Sequence, residues 1–339
     1  MSKLLIIAQC LIDARTAYVL VVMNHKQKLL IAGVVLATVI IIVVASAFFT
    51  ATPSTNKLKV VATFYPLAFL SQEIGGENVQ VTQLVPSNTE IHAWSPSASD
   101  ITSTEEADII VYNGAGLDHW MEDEILPALS QAKARVIVDT TEGLPLLLGE
   151  PEENEHENEQ EHGLYDPHTW VSPYMAKLQA EKIYEAFVQQ DPTHESYYTE
   201  RWANLEDTLE QVDANYTATL STKQKDTLFV SHEAFGYLAH RYGFEQNGVI
   251  GLSADEQPSA ATIANILELM IEHETYVVYV DPVYSEEYSQ TLKDELENQT
   301  GHSVTVLKLY LMLGTIDGRD YLEQLSFNLE SLKVGLEAS

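Results

Sequence analysis

From Leu58 to the C-terminus, short β-branched runs alternate with stretches of helical spacing, and this alternation constrains the fold more than any other feature. LKVVATFYPL, NVQVTQLVP, ADIIVY and RVIVDTT read as strands. LAFLSQEIGG between the first two reads as a helix stopped by two glycines, and ASDITSTEEA as another. In the second half TLFVS, YVVYV and SVTVLKL read as strands. ATIANILELMIEHE, YSQTLKDELENQTG and the terminal DYLEQLSFNLESLKVGL read as helices. Apolar, β-branched strands separated by helices indicate parallel sheets covered on both faces. Between the halves, from Pro192 to about Leu220, Tyr198, Trp202, Leu205, Leu209 and Val212 recur at three- and four-residue steps with no internal Gly or Pro, which predicts one long helix. The predicted architecture is α/β: an N-terminal lobe over 58–190, a linking helix over 191–221 and a C-terminal lobe over 222–339, each lobe with a mostly parallel sheet and flanking helices.

A different segment precedes these lobes. Leu29 to Phe49 are 21 residues without a charge, about 31 Å as a helix, enough to cross a bilayer core. Lys26 and Lys28, with His25, stand just before the run and predict that 1–28 is cytoplasmic and everything after about Thr50 lies outside. Met23 opens a second credible start. Cys10 lies upstream and no cysteine follows, which argues against a lipid anchor. The run 29–49 reads as a retained transmembrane signal anchor or a cleaved signal peptide, and 50–57 as a polar linker.

Composition limits the function classes. The chain carries 18 Lys+Arg against 50 Asp+Glu, a formal charge of −32. Only four of those basic groups and one acidic group fall in 1–56, so 57–339 has a net charge of −35. Nucleic-acid binding is excluded, because phosphate contacts need Lys and Arg. The acidity keeps the surface hydrated and also draws cations. A single cysteine excludes a disulfide framework and a Cys-rich zinc module. Residues 150–162, EPEENEHENEQEH, read as a mobile acidic loop carrying His156 and His162.

Four ionisable positions share one context. His92 follows the second strand by a short loop, His168 lies in the turn DPHTW after the acidic loop, His232 immediately follows TLFVS and Asp281 immediately follows YVVYV. In open parallel sheets, binding groups gather beyond the carboxyl ends of strands. Two of the four come from each lobe, which allows them to meet in the crevice between lobes. Three imidazoles and a carboxylate suit tetrahedral Zn²⁺, although the same ligand types accept other first-row metals. Each residue also has a bland reading: a lone His is more often a surface or capping group, and Asp281 can cap a helix starting near Ser285. His119, His194, His240, His273 and His302 read as surface groups, and Trp94, Trp120 and Trp170 as packing around the cleft rim. Asn215 and Asn298 match the glycosylation acceptor pattern.

VVATFYPLAFLSQEIGGENVQVTQLVP, ADIIVYNGAGLDHW, YDPHTWVSP and SHEAFGYLAHRYGF, in that order and spacing, resemble the zinc/manganese solute-binding proteins of ABC transporters (family 9) from about Leu58 to the C-terminus. The resemblance implies two α/β lobes joined by a single rigid helix. It implies His92, His168 and His232 as the three main metal ligands and Asp281 as the fourth. It also implies Zn²⁺ as cargo rather than Mn²⁺, because manganese members often carry Glu where His232 stands. The implied partners are a membrane permease and its cytoplasmic ATPase, with the chain a monomer held at the outer face of the membrane through the N-terminal helix. The first ligand motif departs from the family pattern DPHxYEPSP: here it is TEIHAWSPS, with Glu90 and Ile91 before the histidine, and Glu90 is positioned to join the surroundings of the ion. The family's His-rich loop is reduced to the acidic tract, which offers weak zinc collection or simple solvation. A metallohydrolase would need Glu90, Glu233 or Asp166 as general base and an open fourth position. HExxH is absent, so the chain is read as non-enzymatic. A manganese carrier and a metal-containing surface adhesin are the other readings.

Overall fold

The computed structural model describes residues 24–25, 57–149, 164–252 and 258–339. The apolar run 29–49, the linker up to Asn56 and the acidic tract 150–162 with His156 and His162 lie outside the described residues. Contacts divide the chain at Asn56/Lys57, and both lobes lie within the second unit, Lys57–Ser339. Among the described residues no helix is long and apolar enough to cross a membrane.

The first half contains β1 (Leu58–Ala62), α1 (Tyr65–Gly75), β2 (Val79–Gln83), α2 (Ala98–Glu105), β3 (Ile109–Tyr112) and β4 (Val136–Asp139), followed by α3 (Pro173–Gln190). The second half contains β5 (Thr227–His232), α5 (Gly236–Tyr242), β6 (Glu245–Ile250), α6 (Ala260–Glu272), β7 (Val277–Val280), α7 (Glu287–Thr300), β8 (Thr305–Lys308) and α8 (Tyr321–Gly335). Between them runs α4 (Glu195–Leu220), 26 residues long, entered through a 3-10 turn at Pro192–His194. The predicted long helix is therefore present, and two four-stranded sheets flank it.

Both sheets are parallel throughout and share one order, β2-β1-β3-β4 and β6-β5-β7-β8. Each chain half winds one way from its first strand and then the other, so a switch point lies between β1 and β3 and another between β5 and β7. The central strands β3 and β5 are buried at every position, as a sheet covered on both faces requires. α1 stops where Gly76 takes φ +53 beside Tyr197, a conformation that a side chain disfavours. The linking helix turns Tyr198, Trp202, Leu205, Leu209 and Tyr216 into the core and packs on α1, α3 and α8, so it is seated against elements of both lobes. A separate apolar layer, including Phe229, Ile266, Met270 and Leu292, joins α6 and α7 to the outer face of the second sheet.

Three elements differ from the sequence reading. The first strand ends at Ala62, and the FYPL beyond it opens α1, with Pro66 in the first turn, where its missing N–H does no harm. α3 has no counterpart in that reading, although Ala176, Ala180, Ile183 and Phe187 line one buried face. Nor has β6 (EQNGVI). Its polar start and Gly248 hide the strand, and the ladder to β5 supplies what propensity lacks.

Candidate metal centre

His232 is the last residue of β5 and pairs in register with Ile250 of β6. It is buried at the switch point of the second sheet. Asp281 follows β7 on the other side of the same switch point and is also buried. From the first half, His92 arrives half-buried on the loop beyond β2, and His168 arrives fully buried at the head of the 3-10 turn Thr169–Val171. His92 Nε2 lies 3.2 Å from His168 Nε2, and His232 Nε2 lies 3.2 Å from the same atom. The three rings are mutually tilted, with centroids 5.0 to 6.0 Å apart. The structure thus brings these three histidines to one point. Among the described residues they are the group of side chains gathered closely enough to hold an ion.

Tautomer chemistry says what those nitrogens do. His168 Nδ1 is 2.9 Å from Asp166 Oδ1, and the same oxygen accepts the His168 backbone N–H at 2.9 Å. With its Nδ1–H donated to the carboxylate, His168 presents a lone pair at Nε2. Two further imidazole Nε2 atoms aimed at that lone pair either donate to it or converge with it on a cation. Zn–N bonds of about 2.0–2.1 Å in a tetrahedron separate neighbouring nitrogens by about 3.3–3.4 Å, close to the spacing found.

Burial favours the binding-ready state. It holds His168 well below the ordinary imidazole value, with the His92 charge adding to the effect. It does the same for His232, helped by His168 and His92 and opposed by the Gly251 backbone. Burial raises Asp166 to about 7, against the opposing pull of the His168 amide and the His92 charge.

Asp281 stands outside this histidine group. Its Oδ1 accepts the Val283 amide at 2.7 Å and its Oδ2 the Leu311 amide at 2.5 Å. Burial raises its carboxyl to about 6 despite these two donors. Glu90 instead lines a cavity of about 10 Å³ with His92, His168 and Tyr284. Its carboxylate accepts from the Tyr284 hydroxyl at 3.4 Å and from the Ala93 amide at 3.3 Å.

The supports of the His168 turn are largely illegible in the sequence. Asn113, at the end of β3, donates to Pro167 C=O at 2.9 Å and is itself held by Gln179 at 3.0 Å. Asp118, buried at the first switch point, accepts Thr63 Oγ1 and the Asn113 and Gly114 amides at 2.7 to 2.9 Å, and burial raises it to about 6. The Tyr237 hydroxyl donates to Asp166 C=O at 2.6 Å from the other lobe. A usable signal exists for Asn113: it follows a strand of the parallel sheet immediately, the same context that singles out His232 and Asp281. The remaining histidines lie elsewhere. His194, His240, His273 and His302 are exposed and His119 is half-buried. Trp120 and Trp170 are buried, and Trp94 packs on Trp120 with centroids 4.4 Å apart.

Comparison with known proteins places this geometry in a lineage. The chain is 32% identical over 294 residues to the high-affinity zinc uptake system protein ZnuA of Bacillus subtilis, covering 85% of this chain and 90% of that protein. It is 31% identical over 282 residues to the zinc-binding lipoprotein AdcA of Streptococcus pneumoniae R6, covering 82% of this chain but 55% of that longer protein. The crystal structure of the Zn(II)-bound ZnuA-like domain of the S. pneumoniae AdcA superposes with a TM-score of 0.68 at 26% identity, over 83% of this chain and 100% of that domain. Residues 60–335 match the family described as ZnuA, zinc-uptake complex component A, periplasmic, and the chain belongs to that family.

Proposed function

We propose that this chain captures Zn²⁺ between its two lobes, on the outer side of the cell membrane, and delivers it to an ABC permease whose ATPase drives uptake. The observation that carries the reading is the convergence of His92, His168 and His232 Nε2 from both lobes, at 3.2 Å spacings about His168. The relatives named for zinc uptake and zinc binding support the same cargo. Three neutral imidazoles favour Zn²⁺ over the harder Mn²⁺.

Asp281 is the proposed fourth ligand. Each of its oxygens accepts one amide, and a carboxylate oxygen has a second lone pair free for a metal. Engaging the ion calls for a shift of this side chain toward the histidines. Glu90 supplies a second carboxylate at the rim. A carrier role also fits the groups that hydrolysis would require: Asp166 holds His168, and Glu233 Oε1 accepts the Gly248 amide at 2.7 Å. The uncharged run 29–49 supports anchorage at the membrane.

The test is competitive binding of Zn²⁺ against Mn²⁺ by the purified chain, beside His232→Ala. One tight Zn²⁺ site, weak Mn²⁺ and a large loss in the variant are expected. Preferential Mn²⁺ binding would sink the cargo assignment, and tight binding of neither ion would sink the ligand set.

A further inference from the structure

A strap of backbone after β8, residues 310–315, belongs to the C-terminal lobe. Asn328 of α8 accepts the Tyr310 amide and donates to the Tyr310 carbonyl, both at 2.7 Å, and Gln324 donates to Gly314 C=O at 2.7 Å. The Leu311 amide donates to Asp281. From the opposite lobe, the strap is gripped by both loops that carry histidines. Trp170, two residues beyond His168, donates its indole N–H to Leu311 C=O at 2.7 Å. Asn88, four residues before His92, donates its amide to Leu313 C=O at 2.8 Å and its side-chain Nδ2 to Thr315 C=O at 3.3 Å. The approach is tight: a methyl group on Gly314 would lie 2.7 Å from Asn88 Oδ1 and Ser87 Cβ. Trp170, Leu311 and Asp281 are all buried, so the bonds of Leu311 to Trp170 and Asp281 are made out of water, where losing one partner strands the other.

We infer that Trp170 and Asn88 are positioning residues that latch the two histidine loops onto the strap holding Asp281, so that an ion leaves only when the strap lets go. This rests on the zinc reading above. One residue, Leu311, is pinned at its N–H by the proposed fourth ligand and at its C=O by the turn of His168. Movement of Asp281 toward or away from an ion therefore displaces the acceptor of Trp170, and parting of the lobes breaks the same bond. Tyr237 and Tyr321 also tie the His168 turn to the C-terminal lobe, through the Asp166 and Trp170 carbonyls, but neither reaches the strap. The latch predicts that dissociation, not capture, is sensitive to these two side chains.

The test uses the full chain loaded with Zn²⁺ and mixed with excess chelator, with association followed separately. Trp170→Phe keeps an aromatic ring and removes the pyrrole part of the indole with its N–H. Asn88→Gly keeps the left-handed backbone (φ +59) and removes the side-chain bond. The zinc off-rate is expected to rise on the order of tenfold in Trp170→Phe and about threefold in Asn88→Gly, with on-rates little changed. A purely structural role for Trp170 would lower the melting temperature of the metal-free chain and leave the off-rate alone. Off-rates within about twofold of wild type in both variants overturn the latch while leaving the site intact. If Trp170→Phe does not fold, Asn88→Gly, on an exposed loop, decides alone. A wild-type chain lacking a tight zinc site removes the zinc reading, and the latch with it.

Discussion

The two lobes share a strand order and yet deliver their ligands in different ways. In the C-terminal lobe, His232 is part of the sheet: its backbone is fixed by the β5–β6 ladder, and Asp281 leaves the neighbouring strand end. In the N-terminal lobe both histidines ride on loops. His92 sits half-buried beyond β2, and His168 depends on Asp166, Asn113 and Tyr237 for its place. A strand-end ligand inherits the precision of the ladder, whereas a loop-borne one needs its own scaffold. In the C-terminal half His232 is thus preformed by the fold while Asp281 has still to shift toward the histidines, and the N-terminal half is assembled by side chains.

This contrast makes the largest expected effect a comparison of two histidines. Structural zinc sites release about 10–16 kcal/mol, so one of four ligands is worth roughly 3 kcal/mol, or about 10²-fold in affinity. His232→Ala is expected to lose at least that, because nothing else on the strand end can take its place. His92→Ala is expected to lose only about tenfold, since Glu90 lines the same cavity and offers an oxygen or a bound water. Titration against a calibrated chelator measures both. Equal losses would break the distinction between a preformed and an assembled ligand.

The scaffold itself gives the next effect. Asp166→Ala removes the acceptor of His168 Nδ1, and losses of outer-shell partners weaken metal binding by about 10–100-fold. Asp166→Asn retains a side-chain oxygen for that hydrogen bond and is expected to recover much of the loss. An Ala variant with wild-type affinity would mean that the other contacts of the turn, from Asn113, Tyr237, Tyr321 and Trp170, hold His168 without Asp166.

Legibility in the sequence divides along the same line. His232 and Asp281 are legible because a strand end is a local feature: a five-residue run rich in apolar and β-branched side chains, then the ionisable one. The long α4 is equally legible from its buried stripe. The scaffold of His168 is not, because Asn113 to Pro167 and Trp170 to Leu311 join positions 54 and 141 residues apart. No periodicity encodes such a pair. β6 is hidden for a related reason, since its pairing with β5, not its composition, makes it a strand. The resemblance to a known family implies a ligand set, but it does not say that Asp281 spends both oxygens on backbone amides.

The pH dependence carries a smaller effect with a definite sign. Burial depresses His168 and His232 below 6.5. The stability tied to their neutral forms is present above 6.5 and is lost as pH falls toward their folded values. Asp166 is shifted the other way, from 3.8 to about 7. Its protonated form stabilises the metal-free fold below 3.8, and that contribution disappears as pH rises through 7. Zinc needs neutral imidazoles and benefits from an ionised Asp166, so both linkages make binding stronger at higher pH. Affinity should rise through pH 7 as Asp166 ionises and fall steeply only as pH drops toward the folded values of His168 and His232, below 6.5, and the melting-temperature gain on adding zinc should be larger at pH 7.5 than at 5.5. An affinity flat from pH 8 to 5 would contradict the coupling of the site to Asp166.

The smallest expected effect tests where the lobes are joined. Arg241 of α5 bonds both oxygens of Asp213 on α4 at 2.5 Å, and its guanidinium lies 3.8 Å above the ring of Tyr174 on α3. It therefore touches the linking helix and one helix from each lobe, as a hinge pin would. Asp213 also accepts the Tyr242 hydroxyl at 2.7 Å. The pair is partly exposed, so screening limits its worth, and Arg241→Ala is expected to remove about 1 kcal/mol of stability, a melting shift of about 2–4 °C. Arg241→Lys keeps the charge but not the planar two-point contact and should fall between the two. Zinc off-rates should stay within about twofold of wild type in both variants, because the bonds proposed to gate release lie at the strap, which Arg241 is not bonded to. If Arg241→Ala accelerates release as strongly as Trp170→Phe, the lobes part by opening at the Arg241 contact. The assembled half of the site would then follow the hinge, not the strap.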